Sequence, residues 1–226
     1  VSAQAYFATR LAPDPRREKL WRYLTDYLAR YVPRAASVLE LGAGYCYFIN
    51  RVPAGRRVAV DISPDMLGFK GADVEGIVGD ALEFLRGTAP GQFDFILASN
   101  FFEHFEWPAL NEMLPLIARA LKPGGRLAVI QPNFRLSAAR YFDDYTHRTI
   151  FTDVSLPDWL TGSGLEVIRN EPRFLPLTVK SRMGAFTFLV PLYLRMPVRP
   201  LAGQMFVLAQ KAAGDSGSSG LTGSSR

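Results

Sequence analysis

From Ser37 to Gln131 one unit recurs: a short apolar run, an end marked by Gly, Asp or Asn, then a turn or a helical pattern. Five runs read as β-strands: SVLEL (37–41), RVAVD (57–61), EGIVGD (75–80), FDFILASN (93–100) and GRLAVIQ (125–131). They are rich in Val, Ile, Leu and Phe on successive positions, the pattern of strands covered on both faces. The clearest helix between them is WPALNEMLPLIARAL (107–121), which the following KPGG stops. Strands alternating with helices imply a parallel sheet with right-handed crossovers, hence an open, doubly wound α/β sheet with helices on both faces.

The flanks differ. Residues 14–31 read as an amphipathic helix, with Leu20, Tyr23, Leu24, Tyr27, Leu28 and Tyr31 at steps of three and four, ended by Pro33. After Gln131 the alternation breaks. Residues 132–151 are polar and aromatic without a clean period, TDVSLPDWLTGSG gives a capped helix and LEVIRN a strand. Residues 172–204 are irregular, and QMFVLAQK (204–211) closes as a last strand. One domain over 1–212 is expected: a leading helix at 14–31, a ligand-binding core at 37–131 and acceptor-side loops and cover at 132–204. The Gly/Ser stretch 213–226 reads as a disordered tail.

Composition narrows the class. With 48% hydrophobic and 21% charged residues the chain suits one globular core, not a disordered chain, a collagen or a coiled coil. Its one cysteine, Cys46, can form no internal disulfide. The opening residues lack a signal-peptide pattern and no run reaches the length of a membrane span, so a cytoplasmic location is expected. The net charge of +5 is unevenly placed. Residues 1–172 carry 19 basic and 20 acidic side chains, whereas 173–226 carry 7 basic and only Asp215. A neutral body disfavours nucleic acid as a partner, because phosphate binding needs a basic face.

The strand ends point to a ligand. VLELGAGYC places Glu40, Gly42 and Gly44 at the end of the first strand, where glycine permits a tight turn and close approach of a ligand to the backbone. Asp61 ends the second strand, about 20 residues on, where a carboxylate can hold ribose hydroxyls. Asp80 ends the third and Asn100 the fourth. Ligands of open α/β sheets bind at this edge, and four polar ends in a row suggest a nucleoside pocket. A dinucleotide site would want a third glycine where Cys46 stands and a longer helix than YCYFINRV.

The motifs ELGAG (40–44), VDISPDML (60–67), GDA (79–81), FDFILASNFFEH (93–104) and LKPGGRLAVIQPN (121–133), in that order and spacing, resemble the class I S-adenosylmethionine-dependent methyltransferases, in particular those acting on small molecules, lipids or glycans. The resemblance covers about residues 14–211. It implies a Rossmann-like sheet of seven strands in the order 3-2-1-4-5-7-6, mostly parallel with an antiparallel last strand. It implies S-adenosylmethionine as cofactor and methyl transfer to a hydroxyl, carboxyl or carbon acceptor. It further implies that Glu40 faces the methionine amino end and the sulfonium, while Gly42 and Gly44 let the backbone approach. Asp61 would hold the ribose, Ile62 would pack on adenine, Asp80 and the Ala81 backbone would meet the adenine edge, and Asn100 would lie near the transferable methyl. Where many members have glycine the chain has Cys46, expected to be buried and structural.

The chemistry leaves fewer handles. Methyl transfer is an in-line displacement in which the protein supplies position and any base. Of the two histidines, His104 is expected to pack at a helix start, whereas His147 is either a general base for the acceptor or a residue pinning its loop. Asp144 and Asp143 could orient His147 or cap the next turn; with no third ligand apparent beside them, no metal is expected. The fourth strand lacks the Asn/Asp-Pro-Pro-aromatic signature of amino methyltransferases acting on nucleic-acid bases and glutamine. The segment 173–203 carries Arg173, Lys180, Arg182, Arg195 and Arg199 around FTFLVPLYL. It reads as a membrane-facing patch giving peripheral contact at the inner face, a wall for a bulky anionic acceptor, or a packed element with solvated arginines. Two rival functions stay open: a nicotinamide-dependent oxidoreductase or epimerase-like domain, and an S-adenosylmethionine-binding regulator without catalysis.

Overall fold

A computed structural model describes residues 14–176 and 188–213. Seven strands form one sheet: β1 (Ser37–Leu41), β2 (Arg56–Asp61), β3 (Glu75–Val78), β4 (Phe93–Ser99), β5 (Leu121–Pro132), β6 (Leu165–Pro176) and β7 (Ala202–Lys211), in the order β3-β2-β1-β4-β5-β7-β6. The first five pair in parallel, and β7 runs antiparallel to both β5 and β6. This is the expected doubly wound sheet with its last strand reversed. The carboxyl ends of β1 to β4 therefore meet along one edge.

Two apolar layers hold the sheet. Leu39, Leu41, Val58, Val60, Ile96 and Val129 face one side, against helices α2 (Ala81–Gly87), α3 (Trp107–Ala120) and α5 (Ser155–Gly162). Val38, Ala59, Phe95, Leu97, Ala128 and Phe206 face the other, against helix α1 (Pro15–Ala29). Period-two alternation of two apolar sets explains why the strands read as unbroken hydrophobic runs. Asp14 caps α1 by accepting from the Arg16 amide, and Tyr27 packs edge-on against Phe206. Helix α1 thus lies across a sheet face, with its Trp21 meeting Phe48 just past the glycine loop.

Three segments depart from the sequence reading. Residues 45–51 form consecutive turns rather than a short helix, although the Asn50 amide reaches the Cys46 carbonyl. Cys46 adopts φ +55°, the left-handed region, which interrupts a helix where it would start. Conversely, helix α4 (Phe134–Tyr141) lies inside the stretch that showed no period. The side chain of Asn133 caps it by accepting from the Arg135 amide, and Tyr141 and Ser137 are buried. In the C-terminal segment, the short helix α6 (Val190–Tyr193) buries Val190 and Tyr193 but exposes Leu192, and Phe188 and Leu189 just before it are exposed as well. Lys180, Arg182 and the tail from 214 on lie outside the described residues. No described helix is long and apolar enough to cross a membrane.

Candidate active site

The glycine loop is pinned to the neighbouring strand. The amides of Gly42 and Ala43 both donate to the Val60 carbonyl, at 2.9 and 3.1 Å. Asp61 ties the same two strand ends together, its two carboxylate oxygens accepting from the Gly44 and Ser63 amides at 2.8 Å each. One amide per oxygen leaves acceptor capacity on each for a diol. Burial pushes the Asp61 carboxyl up, and the Ser63, Gly44 and Ile62 amides counter it. Both glycines have φ > 0, but their surroundings differ. A Cβ on Gly42 would meet the Phe101 ring at 2.8 Å, whereas one on Gly44 would meet nothing within 4 Å. Gly42 is thus required by packing, and Gly44 borders open space.

The other expected residues lie at or just past the ends of β1 to β4. Ile62 is 63% exposed at the end of β2, an apolar side chain that a flat ring could cover. Asp80 is the N-cap of α2, accepting from the Leu82 and Glu83 amides through Oδ1. Ala81 is the first residue of that helix, so its N–H has no intrahelical acceptor. Glu40 lies beneath the loop, with Oε2 accepting from the Ile49 amide at 3.1 Å. Burial, with Asp61 nearby, pushes its carboxyl up to about 8 against the pull of that amide. Asn100 adopts φ +48° where β4 turns away, and its Oδ1 accepts from the Gln204 Nε2 at 2.8 Å. These features fit a nucleoside with a cationic tail. Burial pushes the Cys46 thiol to about 12, which suits a structural rather than a nucleophilic cysteine.

Beyond Asn100 the chain turns back through the one-turn 3-10 helix Phe102–His104 and meets the 141–149 loop. The Arg148 and Thr149 amides donate to the Glu103 carbonyl, and the Thr149 hydroxyl donates to the Phe105 carbonyl. The loop brings His147 to 5.2 Å from His104, between ring centroids. His147 also packs on Tyr141, at 4.6 Å between centroids. Thr146 donates its hydroxyl proton to Asp144 Oδ1 at 2.6 Å, so toward His104 Nδ1, 2.9 Å away, that oxygen can only accept. The Thr146 hydroxyl thus favours a proton on His104 Nδ1, and the ring also meets the Thr146 and Asn100 backbone. Burial, reinforced by His147, lowers His104 to about 4, and it is neutral at pH 7. Asp144 is pushed up by burial but pulled below the usual carboxylate range by Thr146 and the two imidazoles.

Sequence reasoning named Asp144 and His147 on this side and passed over Glu103, Thr146 and Gln204. Glu103 could have been noticed as an acid beside a histidine just past a strand end. Gln204 had only the signal of an amide at the start of an apolar strand.

The 173–203 segment divides. Arg199 is buried, its side chain shared between Glu171 and the carbonyls of Arg173 and Leu194. Arg173 and Arg195 are exposed. A groove of about 1060 Å³ between α1, β6 and the 191–199 stretch is lined by Arg30, Arg169, Arg173, Arg195 and Arg199. It lies on the α1 side, and Gly44, Asp61, Asp80 and Asn100 are not among its lining residues.

A family model described as a methyltransferase domain matches residues 14–170. No curated protein is significantly similar in sequence. Among solved structures, a SAM-dependent methyltransferase from Archaeoglobus fulgidus is 21% identical, with 84% of this chain and 94% of that one covered and a TM-score of 0.63. An S-adenosylmethionine-dependent methyltransferase from Mesorhizobium loti is 16% identical, covering 82% and 96%, with a TM-score of 0.59. A SAM-dependent methyltransferase from Thermotoga maritima, described as a possible histamine N-methyltransferase, is 16% identical, covering 92% and 93%, with a TM-score of 0.60. At these identities the structures establish the fold, and the family model establishes the family.

Proposed function

The chain belongs to the methyltransferase-domain family, and from that premise we propose that it carries the methyl group of S-adenosylmethionine to a hydroxyl, carboxyl or carbon of a small molecule, glycan or lipid. The observation that carries this reading is the strand edge itself. Asp61 ends β2, and Gly44, Ile62, Asp80 and Asn100 follow β1, β2, β3 and β4 at the carboxyl edge of four adjacent parallel strands, with the His104–His147 pair just beyond β4.

In this reading Asp61 holds the ribose diol, Ile62 covers the adenine, and Asp80 with the Ala81 amide reads its edge. Glu40 answers the positive end of the cofactor from beneath the loop. Asn100, fixed by Gln204, marks where the methionine portion ends and the acceptor begins. The cofactor supplies an electrophilic methyl; the protein supplies alignment and a destination for the acceptor's proton. His147, beside Asp144, is placed to take that proton from a hydroxyl.

The acceptor class is supported by the Asn100-Phe101-Phe102 sequence after β4, which lacks the paired prolines of nucleic-acid amino methyltransferases. A lipid-borne acceptor is supported by exposed Phe188, Leu189, Leu192, Met196, Val198 and Leu201 beside Arg195. Calorimetry with S-adenosylhomocysteine and with NAD tests the cofactor: binding of the former is expected, and binding of NAD alone would overturn the reading. Flotation with anionic liposomes tests the lipid version, which fails if the protein stays unbound at low salt.

A further inference from the structure

We propose that Glu103, His104 and His147 form a binding site for a divalent transition-metal cation beside the acceptor. One ligand atom from each of the three lies within 4.8 Å of the others. Metal bonds of about 2.0–2.2 Å place neighbouring ligands roughly 3–3.5 Å apart, so the widest pair would contract by roughly 1.3–1.8 Å, within the reach of side-chain rotation.

Glu103 is the independent sign. Its side chain is wholly buried, and neither carboxylate oxygen has a hydrogen-bond partner among the described residues. Buried carboxyls are normally matched by donors or cations, and burial without such a match pushes the Glu103 carboxyl well up. Two imidazoles lie beside the carboxyl, with Asp144 and the Phe101 amide also near it, and a cation between the three ligands would satisfy all of them at once.

The surroundings hold the ligands in place. The Arg148 and Thr149 amides fasten the His147 loop to the Glu103 carbonyl, and the Thr149 hydroxyl fastens it again to Phe105. The chain Asp144–Thr146–His104 orients the His104 ring beside the other two ligands. A hydrogen-bonded outer shell of this kind is what orients metal-binding histidines. Two nitrogens and one oxygen favour manganese, iron, cobalt, nickel or zinc over magnesium or calcium.

Three protein ligands leave coordination positions open. An acceptor oxygen entering one of them would lose its proton more readily, and His147 would then act as a ligand rather than as the base. That catalytic role rests on the methyl-transfer reading; cation binding rests on the three side chains alone.

The test uses tag-free full-length protein, stripped with EDTA and titrated with Co²⁺ and Zn²⁺. One saturable site is expected by calorimetry, with visible Co²⁺ absorption bands displaced by Zn²⁺. Glu103→Gln, close to isosteric, and His147→Ala should each weaken Co²⁺ binding at least about 10–100-fold. Both should keep their affinity for S-adenosylhomocysteine, which shows that they fold. Absence of a saturable Co²⁺ site in the unaltered protein would overturn the proposal, as would bands unchanged in both variants. Co²⁺ binding without any S-adenosylhomocysteine binding would sustain the metal site and defeat the methyl-transfer reading instead.

Discussion

The two halves of the site are built on different principles. Along β1 to β3, backbone does the work: the Gly42, Ala43, Gly44 and Ser63 amides converge on the Val60 carbonyl and the Asp61 carboxylate. Beyond β4, side chains do it: Glu103, His104, Thr146, Asp144 and His147 come from two segments about 40 residues apart and meet in a largely buried cluster. A backbone cradle suits a constant ligand, because its geometry follows from strand order. A side-chain cluster suits one particular acceptor, because each group can be changed without disturbing the sheet.

The sharpest way to break this comparison is His147→Ala. As proton acceptor or as metal ligand, His147 serves only the acceptor half, so turnover should fall by roughly 10²–10⁴. Affinity for S-adenosylhomocysteine should not change. A parallel loss of that affinity would mean that the two halves form a single unit.

The reciprocal variant is Asp61→Ala. Removing a charge-assisted pair of hydrogen bonds costs roughly 1.5–3 kcal/mol. Binding of S-adenosylhomocysteine should weaken about tenfold or more, while Co²⁺ binding at the acceptor side stays as it was. Unchanged nucleoside affinity would remove Asp61 from the pocket.

That division also governs what the sequence made legible. Asp61, Asp80 and Asn100 each end an apolar run, and the sheet edge collects such residues whatever their side chains do afterwards; hence their placement followed from the pattern. Helix α4 escaped because its buried face is narrow, essentially Ser137 and Tyr141, and the rest is polar. The cluster at Glu103 escaped for another reason. Its members touch only because the Arg148 and Thr149 amides dock on the Glu103 carbonyl, a backbone contact that leaves no periodicity to read. The three readings of 173–203 also sort only in three dimensions, since Arg199 is buried against Glu171 while Arg195 is exposed.

Within the backbone half, the two glycines sharpen the contrast further. Gly42→Ala forces a methyl onto Phe101 at φ +67°, and overpacking of this kind costs typically about 1–3 kcal/mol of stability. Gly44→Ala meets open space, so its cost is the backbone strain of φ > 0 alone, about 1–2 kcal/mol. Gly44→Ala should instead lose more nucleoside affinity for each kcal/mol of stability lost. Denaturant unfolding paired with calorimetry checks the order, and equal ratios for the two would show that neither glycine faces the ligand.

A contrast in pH dependence lies beneath the loop, at Glu40. Its carboxyl is raised to about 8 by burial, above the ordinary 4.5 of an unfolded chain. The folded state therefore holds a proton that the unfolded state has released, so stability is fully present below about pH 4.5 and is lost as pH rises toward 8. One such group contributes a slope of at most about 1.4 kcal/mol per pH unit. Glu40→Gln keeps an oxygen for the Ile49 amide but cannot titrate. In the ligand-free protein, its stability should fall less steeply between pH 5 and pH 8 than that of the unaltered chain, as read by denaturant midpoints across that range. A cationic ligand end near Glu40 would favour the ionised carboxylate, so S-adenosylmethionine should reduce the slope in the unaltered protein and leave the variant's slope unmoved. Equal slopes in both ligand-free proteins would mean that water reaches Glu40 and that the loop does not seal it.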